Sequence, residues 1–142
     1  TKHFFAFYAQ SKRPQKDCMN TFVPFVDVNE LPHYESSSSV PEYFCGVCYI
    51  VEDRAILWRK NGRAHNPNGP AVIWTPRDDL SQYFGYKYYI NGQLHRLSGP
   101  AWSEKDPKNN QIFFIYGKEF EKEKFWNHPL VVKNIFETIL EL

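Results

Sequence analysis

The feature that most constrains this chain is a phrase it repeats. Trp58-Arg59-Lys60-Asn61-Gly62-Arg63-Ala64-His65 is followed, after three residues, by Gly69-Pro70-Ala71. Tyr88-Tyr89-Ile90-Asn91-Gly92-Gln93-Leu94-His95 is followed, after three residues, by Gly99-Pro100-Ala101. A third copy opens as Phe113-Phe114-Ile115-Tyr116-Gly117-Lys118 and breaks off. Self-similarity at a regular spacing implies stacked supersecondary units, because one such unit cannot bury its apolar face alone.

Asn-Gly between β-prone runs is a strong hairpin signal, since both central residues of a type I′ turn need positive φ. Turns at Asn61-Gly62, Asn91-Gly92 and Tyr116-Gly117 set the register. Lys60 faces Arg63 and Arg59 faces Ala64. Ile90 faces Gln93, and Ile115 faces Lys118. Stacking the copies gives an aromatic column, Trp58, Tyr88 and Phe113, beside a second column, His65, His95 and Phe120. Ile56, Tyr86 and Gln111 lie on the same face, the expected core side. Pro70 and Pro100 fall at strand starts, where a missing N–H is tolerated. Ala71-Val72-Ile73-Trp74 reads as a further strand, weakly matched by Ala101-Trp102.

A length of 142 residues suits one domain. The 12 Phe, 9 Tyr and 4 Trp favour strands, because aromatic rings fit a pleated, half-buried surface. The fold class expected is mainly β: an antiparallel meander of repeated hairpins closed by one or two C-terminal helices. Residues 1–53 form an N-terminal β region with an acidic loop, 54–120 the hairpin repeats, and 121–142 a helical cap. Within the first part, residues 3–9 and 21–28 read as strands. The stretch 31–41, with two prolines and Ser36-Ser37-Ser38-Ser39, reads as a flexible connector or a loop tip, and 42–51 resumes strand character. In the cap, Phe120 and Phe125 have the spacing of a hydrophobic staple around Glu121. Val132, Ile135, Phe136 and Ile139 share one face of a second helix after Pro129.

The formal net charge is only +1, so no global field favours nucleic acid or an anionic membrane. Charge is nevertheless segregated. Asp17 to Asp53 holds seven acids and no Lys or Arg. Such a run is ordinarily a solvated face. Its functional reading is a partner-binding surface at Glu30, Glu35 and Glu42, facing a basic patch on another protein. The alternative is single-stranded nucleic acid held by Arg54, Arg59, Lys60 and Arg63, with Tyr89 and Phe114 on the face of Arg59. No run of 18 apolar residues occurs, so no membrane partner is expected, and no signal peptide is visible.

Two histidines at equivalent repeat positions, His65 and His95, suggest an acid–base pair in a small hydrolase. Phe120 in the same column favours packing instead, so no catalytic residue is assigned. Cys45-Gly46-Val47-Cys48 is half a zinc site or a redox pair. Only Cys18, His3, His33 and His65 could complete it, so no metal and no cofactor are expected. Three cysteines cannot all pair, and a reducing, cytoplasmic setting is the simpler assumption.

The pattern aromatic-aromatic-x-Asn-Gly-x-x-His-Arg-x-x-Gly-Pro-Ala resembles a repeat of small proteins from tailed phages and some large DNA viruses, a variant of the MORN-type β-hairpin repeat. The stretch Ile115 to Phe120, followed by a charged helix and Phe125, resembles the way such proteins end. The likeness covers Ile56 to Phe125, about half the chain, and departs from the pattern at Asn66. It implies a viral accessory factor in the host cytoplasm, with repeats that bind and modulate a host protein. The expectation is therefore a non-enzymatic interaction protein.

Overall fold

The computed structural model describes residues 27–74, 85–104 and 111–142. The strands expected over 3–9 and most of 21–28 lie outside these residues. The described part is mainly β, with two C-terminal helices. In chain order the strands are β1 His33–Tyr34, β2 Gly46–Ile50, β3 Ala55–Lys60, β4 Arg63–Ala64, β5 Val72–Trp74, β6 Gly85–Lys87, β7 Tyr89–Ile90, β8 Gln93–Leu94, β9 Trp102–Glu104, β10 Gln111–Ile115 and β11 Lys118–Phe120. The helices are α1 Lys122–Trp126 and α2 Pro129–Leu140.

The strands join in the order β1-β2-β3-β5-β6-β9-β10-β11. Among the described residues, only the β1–β2 pairing is parallel; the other ladders are antiparallel. All three expected turns form. Asn61 and Gly62 have φ of 51° and 79°, Asn91 and Gly92 47° and 82°, and Tyr116 and Gly117 45° and 82°. The registers follow: Lys60 pairs with Arg63, Ile90 with Gln93, and Ile115 with Lys118.

Each full repeat is a hairpin whose return strand is interrupted. Strand β2 occupies one edge of β3, while β4 and β5 lie in sequence along the other. Between them the chain leaves the ladder at Asn66 and rejoins at Ala71, whose carbonyl accepts the Trp58 N–H at 2.8 Å. The second copy does the same between β8 and β9, with Tyr88 N–H donating to Ala101 at 2.7 Å. One side chain closes each excursion. Asn66 Nδ2 donates to the Pro70 carbonyl at 2.9 Å, and Arg96 Nη1 to the Pro100 carbonyl at 3.1 Å. A Cβ on Gly99 would lie 3.1 Å from Arg96 Nη1, so the glycine leaves room for the bridging guanidinium. The proline carbonyl accepts, and Ala71 and Ala101 are fully buried. The Gly-Pro-Ala triplet is thus a loop-closing device.

The structure adds a half-copy with no Asn-Gly of its own. Phe44 accepts the Gly62 N–H, as Ala64 accepts that of Gly92 and Leu94 that of Gly117. Strand β2 is therefore the return strand of an earlier unit, without the excursion.

Three apolar clusters hold the sheet. Val40, Phe44, Cys48, Ile50, Ala55 and Leu57 pack on one face of the first hairpin. Leu31, Val47 and Ile56 cover the other. Phe113, Ile115, Phe125 and Val131 join the last hairpin to the helices, with Phe120 and Leu97 beside them. Phe120 and Phe125 both belong to this region, and Glu121, between them at the start of α1, makes no side-chain cap bond.

Three expectations require correction. The expected core face holds at Ile56 but not at Gln111, which is exposed. The serine tract is not a flexible connector. Ser37–Ser39 is a 3-10 turn ending at buried Val40, and Ser36 Oγ is 2.9 and 3.0 Å from the hydroxyls of Ser38 and Ser39. In α2 the packed residue is Val131, while Val132, Ile135, Phe136 and Ile139 face outward.

Candidate functional site

The histidine column has a definite task. His65 Nδ1 accepts the backbone N–H of Asn91 at 2.9 Å, and His95 Nδ1 accepts that of Tyr116 at 2.9 Å. Each donor is the first central residue of the next turn. Cys45 sits in the same column, and its sulfur accepts the Asn61 N–H at 3.1 Å. The column therefore staples each unit to the turn of the following one. Phe120 closes the series. No further turn follows it, so it needs no acceptor, and its ring meets His128 edge-on at 5.2 Å. The sequence inference that a flat ring alone suffices at His65 and His95 is corrected: the position needs an acceptor wherever another hairpin follows.

This geometry fixes the neutral tautomer with hydrogen on Nε2. Burial pushes the His65 pKa down, with help from Lys60; burial alone does the same for His95. The two histidines belong to different turns and have separate partners, so the structure does not join them as an acid–base pair.

Cys45 and Cys48 do not pair with each other. Cys48 is a free, fully buried thiol pushed up to about 12, mainly by burial and against the pull of Arg59. Cys45 is disulfide-bonded. Among the described residues, no three His, Cys, Asp or Glu side chains gather as a metal-ligand set.

The acidic candidates are all exposed but do not adjoin one another. Glu35 follows β1 at the Ile50 end of β2, since its carbonyl accepts the Glu52 N–H. Glu42 lies against Gly62, at the other end of β3. That strand alone spans roughly 17 Å. Glu30 ends a short 3-10 turn ahead of Leu31.

The basic set is likewise divided. Arg59, Lys60 and Arg63 surround the first turn, whereas Arg54 precedes β3 at its far end. Arg59 is committed inward: Nη1 donates to the Gly62 carbonyl at 3.3 Å, and Nε is buried without a hydrogen-bond partner. The Arg63 stem lies over Gly92.

Two surfaces that sequence reasoning did not single out stand apart. The first is α2. Val132 is 36 % exposed, Ile135 38 %, Phe136 62 % and Ile139 54 %, against 0 % for Val131. His128 caps the helix by accepting the Leu130 N–H at 3.1 Å. The amphipathic pattern was legible, but not the fact that the body leaves this face uncovered.

The second is a cleft of about 480 Å³ between the two excursions, lined by Asn66, Asn68, Tyr88, His95, Arg96 and Tyr116 among others, with Asn134 of α2 at its side. Tyr116 stacks on His95 with ring centroids 3.9 Å apart and 24° between planes. The Arg96 guanidinium lies 4.1 Å from the Tyr88 ring centroid.

No family model matches the chain, and no solved structure matches it. A 97-residue stretch is 25% identical to alpha-mannosidase D of Dictyostelium discoideum. The match takes in 68% of this chain but 7% of that much longer protein. Among the described residues, no helix is long and apolar enough to cross a membrane.

Proposed function

We propose that the chain is a non-enzymatic interaction module whose repeat sheet is scaffold and whose contact element is α2. The observation that carries this reading is the outward strip Val132, Ile135, Phe136 and Ile139. These are anchors at i, i+3, i+4 and i+7, the spacing by which a helix fills an apolar groove on another protein. The polar residues Lys133, Glu137 and Thr138 lie between them in sequence and turn to other faces. A helix normally buries such a strip against its own domain, and an exposed apolar patch of this extent marks an interaction site. The partner is a protein with an apolar groove. The histidine column supports the same reading, because its Nδ1 atoms are occupied in joining the hairpins. A single basic patch docking on Glu30, Glu35 and Glu42 together would have to reach both ends of β3.

The test places a photo-crosslinking residue at position 136 and, as control, at exposed position 119. Proteins captured at 136 alone are purified and titrated with the wild-type chain and with Phe136→Glu. The expected result is a saturable complex that weakens at least about tenfold in Phe136→Glu, the loss typical of a central interface anchor. Equal capture at both positions would refute the reading, as would unchanged affinity in Phe136→Glu. Crosslinks only between copies of the chain would replace the foreign partner with a second copy.

A further inference from the structure

Two residues differ from their counterparts in the other copies, and both line the same cleft. The first is Arg96. Its counterpart Asn66 closes the equivalent excursion with a neutral amide, so loop closure does not require a positive charge. Arg96 donates to Ser98 Oγ at 3.2 Å, the Tyr86 hydroxyl at 3.5 Å and the Pro100 carbonyl at 3.1 Å, all neutral acceptors. These bonds use Nε and Nη1, leaving Nη2 without one among them. Among the described residues, no Asp or Glu lines the cleft. A half-buried guanidinium held rigid by a ring stack and by neutral acceptors is pre-organised for an oxyanion, which its planar fork matches.

The second is Tyr116. The first two turns carry Asn at this position, and Asn tolerates positive φ. The third puts a bulky tyrosine there at φ 45°. A residue held in a disfavoured backbone region points to function where the surroundings enforce it. Here they do: His95 takes the Tyr116 N–H and covers one side of its ring. Tyr116 as a whole remains 56 % exposed, in the same lining as Arg96. His95 keeps its hydrogen on Nε2, a further donor in the lining.

We propose that this cleft binds a small oxyanion, a carboxylate or a phosphate, carried on a flat ring. Arg96 takes the anion and Tyr116 stacks on the ring. The volume falls within the range of small-ligand sites. The site is separate from the exposed strip of α2.

The test is an NMR and calorimetric titration of the whole chain with benzoate, phenyl phosphate, inorganic phosphate and benzyl alcohol. Both ring-bearing anions should bind saturably, shifting the signals of His95, Arg96 and Tyr116. The tighter of the two identifies the anion as carboxylate or phosphate. Inorganic phosphate, which lacks the ring, and benzyl alcohol, which lacks the anion, should bind more weakly. Arg96→Asn reproduces the loop closure of the first copy, and Tyr116→Asn reproduces the other two turns, so both variants are built to fold. Arg96→Asn should weaken ring anions at least about tenfold, as loss of a charge-assisted hydrogen bond implies. Tyr116→Asn should erase their advantage over inorganic phosphate. The proposal is overturned if neither ring anion binds below about 10 mM, or if Arg96→Asn keeps its fold and its affinity. Should Arg96→Asn unfold, Arg96→Gln takes its place under the same criterion, and shifts confined to residues outside the cleft in the wild type overturn the proposal equally.

Discussion

Replacing His65 with Phe separates packing from hydrogen bonding at the repeat junction. Phenylalanine keeps a flat ring in a site only 8% exposed, so little apolar burial is lost. What disappears is the Nδ1 acceptor for the Asn91 N–H at 2.9 Å. A lost hydrogen bond is worth about 0.5–1.5 kcal/mol, and a desolvated donor left unpaired raises the cost to about 1–3 kcal/mol. Asn91 lies at an exposed turn, so water restores part of the loss and about 1–2 kcal/mol is expected. For a domain of this size that lowers the melting temperature by roughly 3–8 °C. The pH dependence identifies the cause. Protonation of Nδ1 would remove the acceptor, and the folded pKa of His65 lies below its unfolded value. The unfolded chain therefore binds more protons in the interval between the two. Stability is complete above about pH 6.5 and falls as the pH drops through that interval. Thermal denaturation at pH 7.5 and pH 5 should show the variant less stable at pH 7.5 and its loss on acidification smaller than the wild type's. A melting temperature within about 1 °C of wild type at pH 7.5, with the same acid sensitivity, would refute the stapling argument.

Two further outcomes follow from the same geometry. Gly62→Ala should abolish folding or cost more than about 3 kcal/mol, because its Cβ would collide with the Glu42 backbone carbonyl as well as sitting at positive φ. Gly92→Ala, with its nearest neighbour 3.7 Å away, should cost only the backbone strain, about 1–2 kcal/mol by denaturant titration; equal losses at both sites would count against the closeness of the Gly62 turn to the preceding unit. Cys48, buried and with its thiol pushed up to about 12, should resist a thiol reagent at pH 8 in the native chain and react once the chain is unfolded, and rapid native labelling would contradict its burial.

The three turns and their registers were legible because they rest on local chemistry. Asn-Gly accepts two consecutive positive φ angles almost anywhere, and once a turn is placed every facing pair is counted outward from it. The mainly β class followed from the aromatic content, and the closing helices from apolar periodicity. The half-copy at Phe44-Cys45 was not legible, since it has no turn of its own and is recognised only by the bonds it makes to the next one. The histidines were found by alignment, but their task was not. Phe120 misled because the end of an array is chemically unlike its interior: it has no following N–H to satisfy.

The charged candidates show the same division from another side. Arg54 lies close to Arg59 in sequence, yet an extended strand carries them to its opposite ends, and Glu35 and Glu42 lie on either side of the Ser37–Ser39 turn. In α2, periodicity alone determined which residues share an apolar face. Whether that face meets the body was decided by tertiary packing: among the described residues of α2, Val131 is the one buried in the Phe113–Phe125 cluster. Sequence thus determined the repeating unit, its turns and its facing pairs, which depend on neighbours along the chain. The tertiary structure decided which polar atoms staple one unit to the next, which apolar surface stays open, and that Arg96 and Tyr116 share a cleft, because each of these depends on contacts between segments that the sequence keeps apart.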